Sequence, residues 1–239
     1  YLETLKTYTE EAIINGCHNL FYPGGTRSRS GSIEKNLKLG LLGSTLEAQK
    51  ELQSKGKKIF IVPVTFSYQF VLESPALINQ YLSKSKNNNQ HLKDLGYSNT
   101  YKILTFLIKY FTQSNSIAVS FGSPLDVFGN RVNKKGVKIE DNNLSFSQNN
   151  KSEILNKLSD KIVEELMCGT VVFPSLLMAF VAFEIIQKRF IKMDINSLLY
   201  LPEDELCIKI DYFKKYYKKA NDYIREISKN KKIKRSPDC

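Results

Sequence analysis

Lys58-Ile-Phe-Ile-Val-Pro-Val-Thr-Phe66 is a nearly continuous run of β-branched and aromatic residues. Such a run suits a strand covered on both faces, where the alternation of a half-wet strand is lost. Pro63 has no N–H to give to a ladder, so the strand is expected to end, or to lie at a sheet edge, near that residue. Downstream, Ser116-Ile-Ala-Val-Ser-Phe121 reads as a further strand ending at Gly122. Upstream, His18-Asn-Leu-Phe-Tyr22 reads as a short aromatic strand running into a glycine turn. Helical patterns separate them. Tyr1 to Asn15 carries Leu2, Leu5, Ala12 and Ile13 and is stopped by Gly16, and Leu37 to Leu52 carries Leu41, Leu42, Leu46 and Ala48. A helical piece from Pro75 to Ser85 and a helix from Tyr101 to Phe111 follow. Strands alternating with helices imply βαβ units. The expected fold class is therefore α/β, with a mostly parallel central sheet flanked by helices.

Beyond this region the pattern changes. Lys84-Ser-Lys-Asn-Asn-Asn-Gln90 is a polar loop, and residues 130–150 read as an exposed, charged excursion. Ser152 to Met167 places Ile154, Leu155, Leu158, Ile162 and Leu166 on one helix face. The apolar stretch Leu166 to Ile186 approaches membrane-spanning length but is interrupted by Gly169, Pro174 and Glu184. Pro174 suits the first turn of a helix, which would then run to about Phe190 and lie buried or at an interface. A last helix, Glu203 to Ile227, presents Tyr212, Phe213, Tyr216, Tyr217 and Tyr223, and a loose basic tail, Lys229 to Arg235, ends the pattern. Residues 1–150 and 151–239 are thus expected to be an α/β part and a helical C-terminal region.

With 239 residues, 42% hydrophobic and 25% charged, the chain has the composition of a globular protein with a sizeable core. Its net charge of +11 attracts phosphates, on nucleic acid, on anionic lipid or on a small substrate; the other reading is a solvated lysine-rich face. The four cysteines are scattered, without metal-ligand or redox spacing, and only His18 and His91 could join them, so no metal site is expected. Reduced thiols facing a cytosol are the simplest reading. The opening at Tyr1, within a helical pattern and without Met, reads as that of a fragment.

The segment with chemistry in it follows the His18–Tyr22 stretch. Gly24 and Gly25 precede Thr26, Arg27, Ser28, Arg29 and Ser30, and Gly31 closes the run. Glycines let a backbone turn tightly beside a ligand, hydroxyls and N–H groups donate to phosphate oxygens, and arginine offers a planar fork. Glycine turn, Ser/Thr/Arg cluster and helix are what an anion site needs. The spacing is not that of a Walker loop. An exposed Arg-Ser loop, open to phosphorylation, is the competing reading.

Tyr22-Pro-Gly-Gly-Thr-Arg-Ser28 resembles the third conserved block of the glycerol-3-phosphate and lysophospholipid acyltransferase superfamily, usually Phe-Pro-Glu-Gly-Thr-Arg-Ser. Ile61-Val-Pro-Val64 resembles the fourth block, at about the family's distance. Arg29-Ser-Gly31, then Tyr68, Val71 and Glu73, then Val119-Ser-Phe-Gly-Ser-Pro-Leu125 and the helix after Pro174 are similar to the glycerol-3-phosphate branch. The resemblance implies a glycerolipid acyltransferase-like α/β fold, with residues 1–150 its C-terminal portion. It implies transfer of a fatty acyl group from acyl-CoA or acyl-carrier protein to glycerol-3-phosphate, without a bound cofactor. Gly24, Gly25, Thr26, Arg27, Ser28 and Arg29 would bind the acceptor, with Arg27 on its phosphate, and Pro63 and Val64 would form pocket wall. It further implies association with the cytoplasmic face of an anionic membrane; no RNA- or DNA-reading motif is present, so no nucleic-acid partner is expected. The alternatives are acylation of 1-acylglycerol-3-phosphate, or a non-catalytic basic module binding membrane or nucleic acid through the Tyr212–Lys219 stretch.

Two features depart from the family. Its catalytic His-x4-Asp pair is missing, because five residues after His18 comes Pro23 and five after His91 comes Gly96. The resemblance places that pair upstream of Tyr1, so the fragment alone is expected to be inactive. Gly24 also stands where the block usually has Glu.

Overall fold

The computed structural model describes residues 1–25, 32–71, 116–139, 144–146, 150–194, 197–198, 201–230 and 233–235. The expected helices at Pro75–Ser85 and Tyr101–Phe111, with the polar loop between them, lie outside the described residues. The fold is α/β. Two units divide the chain: residues 1–65 with 120–169, and residues 66–119 with 170–239.

In the first unit, α1 (Leu2–Ile14) ends where the sequence places its stop. Gly16 takes φ +83°, and the Gly16 and Cys17 N–H groups donate to the Ile13 and Ala12 carbonyls, closing the last turn. The stretch His18–Tyr22 that follows forms no strand; its residues are extended, and all but Phe21 are exposed. Helix α2 (Leu39–Gln53) packs against both α1 and α3 (Lys151–Gly169). Covered from two sides, α2 buries small and polar residues (Gly43, Ser44, Thr45) as well as Leu42 and Leu46. Helix α3 buries Ile154, Leu155, Leu158 and Ile162, the helical stripe read from the sequence. These residues, with Leu125 and Val127, make one core in which each fully buried leucine contributes about 1.5–3 kcal/mol.

The run Lys58–Phe66 is broken at Pro63. Ile61 and Leu125 form an antiparallel bridge with both hydrogen bonds at 2.8 Å, and the Gly122 N–H donates to the Pro63 carbonyl at 2.8 Å. One residue lies between Ile61 and Pro63, while two lie between Gly122 and Leu125, so the second strand carries an extra residue. A proline, with no N–H to leave unpaired, fits that break. Strand β1 (Val64–Tyr68) starts just after it and pairs with β2 (Ile117–Phe121). The Gln69 N–H donates to the Ser116 carbonyl at the far end, so the ladder is antiparallel.

Among the described residues this sheet has two strands, and the side chains of one face are exposed. Phe60, Val62, Phe66 and Tyr68 are exposed, as are Ile117, Val119 and Phe121. The expectation of a strand buried on both faces is therefore corrected: the alternate side chains Phe66 and Tyr68 of β1 lie exposed, with Phe60 and Val62 before it. The other face holds the buried Ser67 and Ser120. The mostly parallel central sheet is not found among the described residues. The parallel pairing there is two residues long and lies in the second unit, where β3 (Val171–Val172) meets β4 (Lys234–Arg235).

In the second unit, Pro174 opens α4 (Pro174–Arg189), where its missing N–H costs nothing. Helix α4 buries Leu177, Val181 and Ile185 and packs on α5 (Ile210–Lys229). Helix α5 turns Phe213, Tyr216, Tyr217 and Ile224 inward to partial burial and its lysines outward. It starts later than the sequence pattern suggests, because Pro202–Leu206 forms turns. The guanidinium of Arg189 donates to the Glu205 carbonyl at 2.9 Å and the Cys207 carbonyl at 3.1 Å, holding that turn against α4's last residue. The basic tail is not loose at Lys234, whose N–H donates to the Thr170 carbonyl at 2.8 Å, so the region after 151 is not wholly helical. Among the described residues no helix is long and apolar enough to cross a membrane.

Candidate functional site

The glycine turn is built from backbone bonds. The Gly25 N–H donates to the Tyr22 carbonyl at 3.0 Å, and the Lys38 N–H, one residue before α2, donates to the Pro23 carbonyl at 2.8 Å. Phe21 packs on the core just before the turn, anchoring its entry. Gly25 adopts φ +69°, a left-handed conformation that costs an L-residue about 1–2 kcal/mol. A side chain at this residue would also have to displace that of Lys38. A Cβ there would lie 2.6 Å from Lys38 Cδ and 2.9 Å from its Nζ. At Gly24 the corresponding Cβ would meet Glu34, 3.2 Å from Cγ and 3.6 Å from Oε2. The two glycines thus leave the space in which a carboxylate and an ammonium lie across the turn. Sequence reading missed both groups, because they sit ten and thirteen residues further on and belong to no motif.

Of the residues expected to bind an acceptor, Gly24 and Gly25 are placed as just described, while Thr26, Arg27, Ser28 and Arg29 lie outside the described residues. Pro63 is buried and Val64 half-buried, and no described hydrogen bond joins either to Gly24 or Gly25. His18 is exposed, and His91 lies outside the described residues. No group of three potential metal ligands occurs among the described residues.

Beside Pro63 the structure assembles a polar corner that the sequence did not announce. Glu165 of α3 is buried, and its Oε2 accepts the Ser123 N–H at 2.7 Å while its Oε1 pairs with Arg131 Nε at 2.7 Å. Arg131 also reaches Glu164 at 3.0 Å. Lys161 bonds the other oxygen of Glu164 at 2.8 Å, and this bond holds that carboxyl below its ordinary range, with Arg131 adding to the effect. A Cβ at Gly122 would stand 3.1 Å from Glu165 Oε2 and 3.3 Å from the Pro63 carbonyl. The one available signal was Glu165 itself, a charge one turn beyond Ile162 on the apolar stripe. Every group in this corner is matched within the protein, so its work is to hold the strand break against α3.

A cavity of about 220 Å³ opens near the C-terminal end of α2, lined by Gln49, Phe60, Asp126, Phe128 and Phe146 with Lys57 at its edge. Its uncharged and acidic polar groups are already satisfied. Gln49 Nε2 donates to the Lys57 carbonyl and Gln49 Oε1 accepts the Ile59 N–H. Asp126 accepts from Asn130 and from the Phe128 N–H. At 1.5 Å per residue, the 15 residues of α2 put this cavity about 20 Å from the glycine turn, too far for one small ligand to touch both.

No known family profile and no solved structure matches the chain. A stretch of 90 residues, 38% of the chain, is 34% identical to a protein named glycerol-3-phosphate acyltransferase from Pseudoalteromonas translucida (strain TAC 125). The match covers 10% of that relative, so the matched stretch corresponds to about a tenth of its length. The likeness supports a glycerolipid acyltransferase reading.

Proposed function

We propose that this chain belongs to an acyltransferase that moves a fatty acyl group from acyl-CoA or acyl-carrier protein to glycerol-3-phosphate in phospholipid synthesis. The observation that carries the reading is the glycine turn at Gly24–Gly25, bonded to the start of α2 and leading directly into Thr26-Arg-Ser-Arg29. The likeness to a named glycerol-3-phosphate acyltransferase agrees with it. In this reading Arg27 grips the acceptor phosphate bidentately, with Thr26, Ser28, Arg29 and the turn's backbone adding donors. Fixing the phosphate fixes the acceptor hydroxyl for attack on the acyl carbonyl. Pro63 and Val64 shape the wall toward the acyl chain.

An anionic membrane surface on the cytoplasmic side is the proposed place of work. In its support, α4 carries an exposed apolar stripe (Leu176, Phe180, Phe183) opposite its packed one, and the chain has a net charge of +11. Co-flotation with anionic but not neutral vesicles, lost in Phe180→Ser/Phe183→Ser, is the expected result. Binding unchanged by that pair would exclude this helix as the contact.

Titration of the chain with sn-glycerol 3-phosphate tests the main reading. Arg27→Ala is expected to weaken acceptor binding tenfold or more, on the order of one charged hydrogen bond, and to leave acyl-donor binding unchanged. Equal losses for both ligands would remove the phosphate-gripping role. Thr26 after Gly25 matches the lyso-lipid branch, so 1-acylglycerol-3-phosphate is run alongside; tighter binding of the lyso-lipid would make it the acceptor.

A further inference from the structure

We infer that Lys38 is a second cation of the phosphate site, placed over the glycine turn to meet an anion held there. The ligand class, a phosphate monoester, rests on the acyltransferase reading; the position of Lys38 does not. Its stem crosses Gly25 so closely that any side chain at that residue would collide with Cδ, Cε and Nζ, at 2.6, 2.9 and 2.9 Å. Its own N–H is tied back to Pro23 in the same turn, so backbone and ammonium converge on the two residues that lead into Thr26. The side chain is exposed, and among the described residues no hydrogen bond or ion pair engages it.

Lys35 and Lys57 are likewise exposed and without a side-chain bond among the described residues, but it is Lys38 whose stem lies over Gly25, while the remaining lysines beside α2 are paired. Lys6 pairs with Glu3, Lys50 and Lys151 with Glu47, and Lys55 with Glu51, all at 2.7–3.0 Å. The acid nearest the turn, Glu34, lies against Gly24 and forms no ion pair with Lys38. An unpaired ammonium laid over bare backbone leaves its three donors for a ligand. Lysine acts there as a point charge, complementing the flat fork proposed for Arg27.

The test uses Lys38→Met, which keeps the stem over Gly25 and removes only the charge, with Lys38→Arg as the conservative partner. The chain is titrated with sn-glycerol 3-phosphate and, separately, with inorganic phosphate, at low and at high salt. The expected result is an approximately tenfold rise in Kd for Lys38→Met and a flatter dependence on salt. Near-normal binding by Lys38→Arg and unchanged thermal unfolding in both variants are expected with it. Wild-type affinity and salt slope in Lys38→Met would overturn the proposal while leaving the acyltransferase reading intact. Lys38-dependent binding of inorganic phosphate without binding of glycerol phosphate would keep Lys38 as an anion-binding group and reject that reading. Binding of neither anion overturns both.

Discussion

At Gly122 a missing side chain leaves room for a buried carboxylate, and at Gly25 it leaves room for an exposed ammonium. Both glycines lie in segments that resemble conserved stretches of one family, and both are crowded by a charged residue, 43 residues further on at Gly122 and 13 at Gly25. In the first segment the charge is matched completely: Glu165 holds Arg131 and the Ser123 N–H, and the Pro63 carbonyl takes the Gly122 N–H. In the second, the charge of Lys38 meets no partner among the described residues. Resemblance alone ranks the two segments together. Hydrogen-bond satisfaction separates them: the first is a joint that holds the fold, and the second leaves an exposed charge unmatched among the described residues.

The contrast is broken most easily at Glu165. Glu165→Ala removes a buried carboxylate, leaves the half-buried Arg131 with Glu164 alone and the Ser123 N–H short of a partner, and is expected to cost up to about 3 kcal/mol, measured as a lower urea midpoint with unchanged slope. A loss below about 0.5 kcal/mol would place this corner with ordinary surface pairs. Gly122→Ala presses on Glu165 Oε2 and on backbone, which yield little, so a cost of about 1–3 kcal/mol is expected in the same assay. Gly25→Ala combines the left-handed conformation with a collision against a flexible side chain that can swing aside. Its stability cost is expected near 1–2 kcal/mol, but displacing the ammonium should weaken phosphate binding as well. Phosphate affinity untouched by Gly25→Ala would mean that the turn does not position a ligand.

The smallest effect sharpens the comparison from the helical side. Glu47 of α2 bridges to Lys151 of α3 at 2.7 Å and to Lys50 at 3.0 Å, and the bond to Lys151 above all holds its carboxyl below the ordinary value of 4.5. A carboxyl depressed on folding contributes stability above its unfolded pKa and loses it as pH falls through the folded one. Glu47→Gln should therefore be less stable than the parent by about 0.5 kcal/mol at neutral pH, with the difference vanishing below the carboxylate range. A difference that persisted in acid would show that packing, not charge, is at stake there.

Local pattern was enough for the helices. Gly16 and Pro174 mark the end of α1 and the start of α4, and the Ile154–Leu155–Leu158–Ile162 stripe marks the buried face of α3, because each depends on neighbours within a turn or two. The strands were half legible. Their apolar runs located β1 and β2, but burial on two faces depends on what packs over each face, and Phe66, Tyr68, Val119 and Phe121 are exposed. The later start of α5 and the pairing of Lys234 with β3's neighbour Thr170 depended on Arg189 and on a distant carbonyl.

For the candidate site, sequence alone supplied the residue types: two glycines, then hydroxyls and arginines in a row, a composition suited to a phosphate. Only the tertiary structure decided that Glu34 and Lys38 lie across those glycines, and that Arg131 and Glu165 close on each other beside Pro63. The physical reason is range. A turn's conformation is a property of adjacent residues, whereas whether a charge is matched is decided by whatever the fold carries to within about 3 Å of it.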